Sequence, residues 1–108
     1  MERDIWLDKF RREALPLIIR YFKPDRVIVF GSRARGTAHE ESDIDIIIIS
    51  ERFGEIPFLQ RMPMMLKLIP FPKHIDYLCY TPEEFGRMKH ASSILIDALH
   101  EPLELAVS

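Results

Sequence analysis

The stretch VIVFGSRARGTAHEESDIDIIII, Val27 to Ile49, decides the fold. A β-branched run, Arg26 to Phe30, reads as a short strand and stops at Gly31 and Ser32. A polar and basic turn follows, in which Ser32 to Gly36 is expected to form a single helical turn and TAHEE an exposed connection. Asp43 and Asp45 then open a second strand, expected over Asp43 to Ser50, that is apolar on both faces once past the acids. A strand buried on both sides belongs in the centre of a sheet. Two carboxylates at the mouth of such a strand repel each other and resist desolvation, which points to a cation between them.

Leu7, Phe10, Ala14, Ile18 and Tyr21 recur at helical spacing, giving an amphipathic helix from about Asp4 to Phe22 that Pro16 is expected to kink or split. His74 to Tyr80, HIDYLCY, has the composition of a third strand. It runs into TPEEF, where Thr81 as N-cap, Pro82 at the first helical position and Glu84 at the third spell a capping box. That helix is expected to reach about Lys89. A shorter helix over Ser93 to His100 and a closing strand over Leu103 to Val107 follow. Between the second and third strands, Pro57, Pro63, Pro70 and Pro72 are expected to cut Phe53 to Pro72 into short helical pieces or loops. The order α, β, β, mixed, β, α, α, β predicts an α/β (α+β) fold, a small mixed β-sheet with flanking helices, in a single domain over 1–108.

The whole chain narrows the function. It holds 108 residues with a net charge of −2, so no global basic field points to nucleic acid. A single cysteine, Cys79, excludes an internal disulfide and a cysteine-rich zinc site, and a reducing cytoplasm fits it best. Cys79 itself reads as a buried strand residue. The N-terminus MERDIWLDKFRREA has no apolar core of a signal peptide, and the longest purely aliphatic run is four residues, so no membrane span is expected. His39, His74, His90 and His100 are too scattered for a zinc pattern and are read as surface or packing residues.

The chemistry lies in the acids and the Gly-Ser turn. Residues i and i+2 of a strand face one side, roughly 6.6 Å apart, so Asp43 and Asp45 converge on one point. Hard oxygen ligands of this kind suit Mg²⁺ or Mn²⁺. Asp76 lies within the third strand and would complete a patch of three carboxylates if that strand pairs with the second. Gly31 and Ser32 stand between a strand and a helical turn, where backbone N–H groups can meet a phosphate. Arg33 and Arg35 would add cationic donors beside a bound triphosphate.

Gly31-Ser32, ten intervening residues, Asp43-Ile44-Asp45 and the separate Asp76 together resemble the DNA polymerase beta-like nucleotidyltransferase superfamily. Within it, GSRARG and SDID are similar to the minimal nucleotidyltransferases, the MNT proteins. The resemblance implies the polymerase beta-like fold and transfer of NMP, with AMP from ATP preferred, onto a hydroxyl with release of pyrophosphate. Asp43, Asp45 and Asp76 would be the metal-binding catalytic acids, with Asp76 also helping to deprotonate the acceptor; Gly31 and Ser32 would hold the triphosphate. It further implies an MNT-type antitoxin whose partner is a HEPN-domain toxin carrying an acceptor tyrosine. Two other readings stay open: a non-catalytic nucleotide-binding antitoxin acting by contact, and a small-molecule nucleotidyltransferase working as a homodimer or other homo-oligomer. Met62, Met64, Met65 and Leu66 read most simply as core or as a partner-facing apolar surface, and the PFLQRMPMMLKLIPFP segment, Met64 and Met65 included, is the expected partner-docking surface.

Overall fold

The isoleucine strand sits inside a four-stranded sheet. In the computed structural model, which describes residues 4–107, β1 (Arg26–Phe30), β2 (Ile44–Ile49), β3 (Ile75–Tyr80) and β4 (Leu103–Leu105) are ordered β3-β2-β1-β4. β1 runs antiparallel to β2 and β4, while β2 and β3 are parallel. Every residue of β2 is buried except Asp45, which is partly exposed. Ile44, Ile46 and Ile48 enter the larger core; Ile47 and Ile49 enter a smaller one on the opposite face. The period of two thus explains why the strand is apolar throughout.

Helices cover both faces. The larger core receives the N-terminal helix, made of α1 (Ile5–Lys9), a π-helical turn (Phe10–Ala14) and α2 (Leu15–Phe22). Asp4 caps α1, accepting from the Trp6 and Leu7 N–H groups. Pro16 is what the expected interruption rests on: it lacks an N–H and crowds the preceding turn, and the chain widens just before it, with the Leu15 N–H reaching back five residues to the Phe10 carbonyl. The wide turn shifts the helical register, so that Phe22 rather than the expected Tyr21 is buried at the end. The smaller core is capped by α5 (Pro82–Met88) and α6 (Ser93–Ala98), through Phe85, Leu95 and Ala98. The capping box at Thr81 and Glu84 is formed in full. No helix among the described residues is long and apolar enough to cross a membrane. Burial pushes the Cys79 thiol up to about 12, as expected of an inert strand cysteine.

The proline-rich segment corrects the expectation from sequence. After a short 3₁₀ turn (Glu51–Glu55) it forms one 11-residue helix, α4 (Phe58–Leu68), with Pro63 inside it. The bond that Pro63 cannot make would go to the Leu59 carbonyl, on a residue that is 86% exposed, where water can take the acceptor. Tertiary contacts hold the rest. Arg61 is buried and donates to the Ile56 and Cys79 carbonyls at 2.9 and 3.1 Å and to both Glu84 oxygens at 2.6 and 3.1 Å. Its guanidinium also lies over the Phe53 and Phe58 rings, at 5.9 and 5.5 Å. Glu84 therefore closes the capping box of α5 and anchors α4 at once. Met65, expected on an outward face, is fully buried and Met64 packs partly buried against the core; the exposed apolar residues of α4 are Phe58, Leu59, Met62, Leu66 and Leu68.

Two stability outcomes follow from this packing. Arg61→Ala removes one member of a buried pair and strands two carbonyls, so urea unfolding is expected to show a loss of about 3–5 kcal/mol. Met65→Ala should cost about 2–5 kcal/mol through the cavity it leaves, whereas Leu59→Lys on the same helix should stay within about 0.5 kcal/mol of wild type.

Candidate functional site: three acids and a Gly-Ser turn at one end of the sheet

Register brings the acids together. Asp45 pairs with Phe30 of β1 on one side and with Asp76 of β3 on the other. Because Ile44, Ile46, Ile75 and Tyr77 all face the larger core, Asp45 and Asp76 both project from the opposite face. There α5 and α6 pack over Ile47, Ile49 and Tyr80, and the acid end stays open to solvent: Asp45 and Asp76 are partly exposed and Asp43 is exposed. The expected adjacency of the second and third strands is met, residue against residue.

Crowding changes the acidity of this group. Burial pushes the Asp45 carboxyl up to about 6, aided by the Asp76 charge, a hydrogen bond with Asp76 and the Asp43 charge, while the Arg35 cation pulls it back. Asp45 therefore takes up a proton at a higher pH than an ordinary aspartate, and a cation placed beside it would favour the ionised form.

His74 joins this group, although the sequence suggested only a surface or packing role. Its Nε2 lies 2.9 Å from Asp76 Oδ1, and one ligand atom from each of Asp43, His74 and Asp76 lies within 4.8 Å of the others. The signal was present in the spelling: Asp43-Ile44-Asp45 on one strand is matched by His74-Ile75-Asp76 on its parallel neighbour. Ile44 is registered against Ile75 and its N–H donates to the His74 carbonyl at 3.3 Å. Only the pairing of the two strands, which no sequence spacing reveals, sets the two motifs side by side.

The Gly-Ser turn lies against the same acids. α3 (Gly31–Arg35) begins directly after β1, and its first residue has φ +74°, a backbone shape that favours glycine. A Cβ at Gly31 would run into Asp45 Oδ2. No side chain caps the start of α3, which leaves the N–H groups of its first turn available to an outside acceptor. Gly36, at φ +76°, ends the turn with its N–H on the Ser32 carbonyl. Ser32 is partly exposed beside the acids' opening, and Arg35 is exposed.

Arg33 is not brought to the site, which corrects its expected role as a phosphate contact. Its side chain is buried (7% exposed). Nη1 donates to both Asp4 oxygens at 2.9 and 3.0 Å, and Nη2 and Nε donate to the Ser42 carbonyl at 2.7 and 3.2 Å. Nη2 also reaches the His39 carbonyl at 3.1 Å. The guanidinium is consumed in tying the loop before β2 to the N-terminal cap. Ser42 completes that loop, its hydroxyl accepting from the His39 N–H at 2.9 Å.

Residues 11–100 match the family described as the nucleotidyltransferase domain. A candidate protein adenylyltransferase of Methanocaldococcus jannaschii is 46% identical over 46 residues, a stretch that spans 43% of this chain and 43% of that relative. The crystal structure of a candidate nucleotidyltransferase from Sulfolobus solfataricus superposes with a TM-score of 0.57, covering 95% of this chain and 87% of that one at 22% identity, a likeness of fold. With the match running from the N-terminal helix to α6 and enclosing the turn, all three acids and His74, the chain belongs to the nucleotidyltransferase domain family.

Proposed function

We propose that this chain transfers an NMP group, AMP from ATP, to a protein hydroxyl with release of pyrophosphate. The observation that carries the reading is the Asp45–Asp76 pairing across parallel strands, with Asp43 beside it and the Gly31 turn against it. The donor set fits a divalent cation: hard carboxylate oxygens converge at an open end of the sheet, and their mutual repulsion is relieved by positive charge. Asp43, Asp45 and Asp76 would hold Mg²⁺ or Mn²⁺. Ions held by these acids would supply positive charge to offset that of the transferring phosphoryl group and the departing pyrophosphate.

The chain's own residues do the rest. Gly31 admits the phosphate tail because it has no Cβ, and the Ser32 backbone and hydroxyl supply donors to it. Arg35, exposed at the end of α3, adds a cationic donor, while Arg33 holds the loop that carries Asp43. The acceptor oxygen forms its bond to the α-phosphorus and the bond to the bridging oxygen breaks, so pyrophosphate leaves with that electron pair. The acceptor's proton passes to a carboxylate oxygen of Asp76. The acceptor favoured here is a tyrosine of a HEPN-domain partner, which would make the chain an MNT-type antitoxin. Support comes from the GSRARG and SDID likeness and from a relative described as a candidate protein adenylyltransferase. Incubation with labelled ATP, Mg²⁺ and a HEPN-domain protein encoded beside it should place label on a tyrosine; unlabelled partner with the ATP intact would contradict the assignment.

Asp45→Asn tests the acids twice. Transfer should be lost, because the amide keeps the shape and loses the charge. Metal-free stability should change the other way. The folded-state value of about 6 lies above the ordinary 3.8, so the Asp45 contribution to wild-type stability is lost as pH rises from about 4 to 6 and is not regained above. Discounted for partial exposure, the variant should gain about 1 kcal/mol over wild type at pH 7 and nothing at pH 3.5, read by thermal melts. Gly31→Val, in a folded protein, should lower transfer by about 100-fold or more, because its Cβ displaces both the Asp45 carboxylate and the turn.

A further inference from the structure

The two strand mouths are spelled alike, Asp-Ile-Asp entering β2 and His-Ile-Asp entering β3, and parallel register sets Asp45 against Asp76 while ligand atoms of Asp43, His74 and Asp76 cluster together. We infer that His74 is a nitrogen ligand of the ion held by Asp43 and Asp76, and that it tilts this centre toward Mn²⁺ over Mg²⁺. The inference rests on the metal-binding reading above and adds a ligand and a metal preference to it.

Geometry is the first argument. Adjacent corners of an octahedral shell with bonds of about 2.1 Å lie about 3.0 Å apart, and opposite corners about 4.2 Å. His74 Nε2 and Asp76 Oδ1 are separated by 2.9 Å, an adjacent pair; the trio with Asp43 lies within 4.8 Å, wider than the longest of these spans, so the exposed Asp43 and His74 side chains must draw in on an ion. His74 is half exposed and its ring meets Asp76 through Nε2, so the ring can turn from the carboxylate to an ion with little cost. Nδ1 then carries the proton and Nε2 is free to ligate.

Donor chemistry is the second argument. Imidazole is a softer donor than a carboxylate or water, and Mg²⁺, which dehydrates reluctantly and prefers oxygen, gains less from it than a first-row transition metal does. Among the hard divalent cations that this acid cluster otherwise suits, Mn²⁺ is the one an added nitrogen favours.

Pulsed EPR on the nucleotide-free full chain loaded with Mn²⁺ is the direct test. Nitrogen coupling to the manganese is expected in wild type and should vanish in His74→Gln, whose circular dichroism should match wild type because the side chain stands at the surface. Calorimetry on the same two proteins should show the Mn²⁺-to-Mg²⁺ affinity ratio falling about tenfold in the variant. Bound Mn²⁺ without nitrogen coupling, or with coupling that survives in His74→Gln, would overturn the ligand assignment while leaving the carboxylate site standing. An unchanged affinity ratio would overturn the metal preference. Absence of Mn²⁺ binding by wild type would remove both this inference and the metal-binding reading beneath it.

Discussion

The apposition of Asp45 and Asp76 across two parallel strands is the constraint on which the rest of this structure depends. Parallel neighbours begin at the same end of a sheet, so acids at corresponding positions meet face to face without any loop having to deliver them. The cost falls on Asp45: burial, and then the Asp76 charge across the strand, raise its affinity for a proton. A protein retains such a pair only where a cation or a proton resolves it. The four isoleucines following Asp45 supply the counterweight, burying the strand on both faces and fixing its register against β1 and β3.

Much of the remaining architecture keeps that end open and rigid. The short helices α5 and α6 cover Ile47, Ile49 and Tyr80 and stop before the acids. On the other face the N-terminal helix and α4 close the larger core. Arg33 and Arg61 perform parallel tasks at opposite ends of the sheet. Each is buried, each spends its donors on backbone carbonyls, and each is paired with a carboxylate that also caps a helix: Asp4 for α1, Glu84 for α5. Arg33 thereby positions the loop leading to Asp43. Charged groups used this way contribute geometry more than net stability, since desolvating a guanidinium offsets much of what its pair returns.

The strands, the capping box and the acid spacing were legible because each is written locally. Short runs rich in β-branched and aromatic residues, Thr-Pro-Glu-Glu before a helix, and Asp-Ile-Asp before four isoleucines carry their meaning without tertiary context. α4 was not legible. Four prolines outweighed helical propensity in the reading, whereas buried Arg61 and Met65 outweigh Pro63 in the fold. Arg33 misled for a related reason: its neighbours Gly31, Ser32 and Arg35 belong to the site's rim, and nothing local says that Asp4, 29 residues earlier, would take its guanidinium. His74 escaped notice because its significance lies in registry with Asp43, a relation between strands rather than along one.

Strand register forces Asp45 to lie against neighbouring acids, a crowding that a proton relieves in part and a cation relieves in full. The most direct measurement is a carbon-13 NMR titration of the Asp45 carboxyl, with and without Mg²⁺ at saturating concentration. The account predicts a midpoint near 6 in the metal-free protein, moving well below the ordinary carboxylate range when Mg²⁺ is present. A midpoint at the ordinary aspartate value of 3.8, unmoved by Mg²⁺, would contradict it.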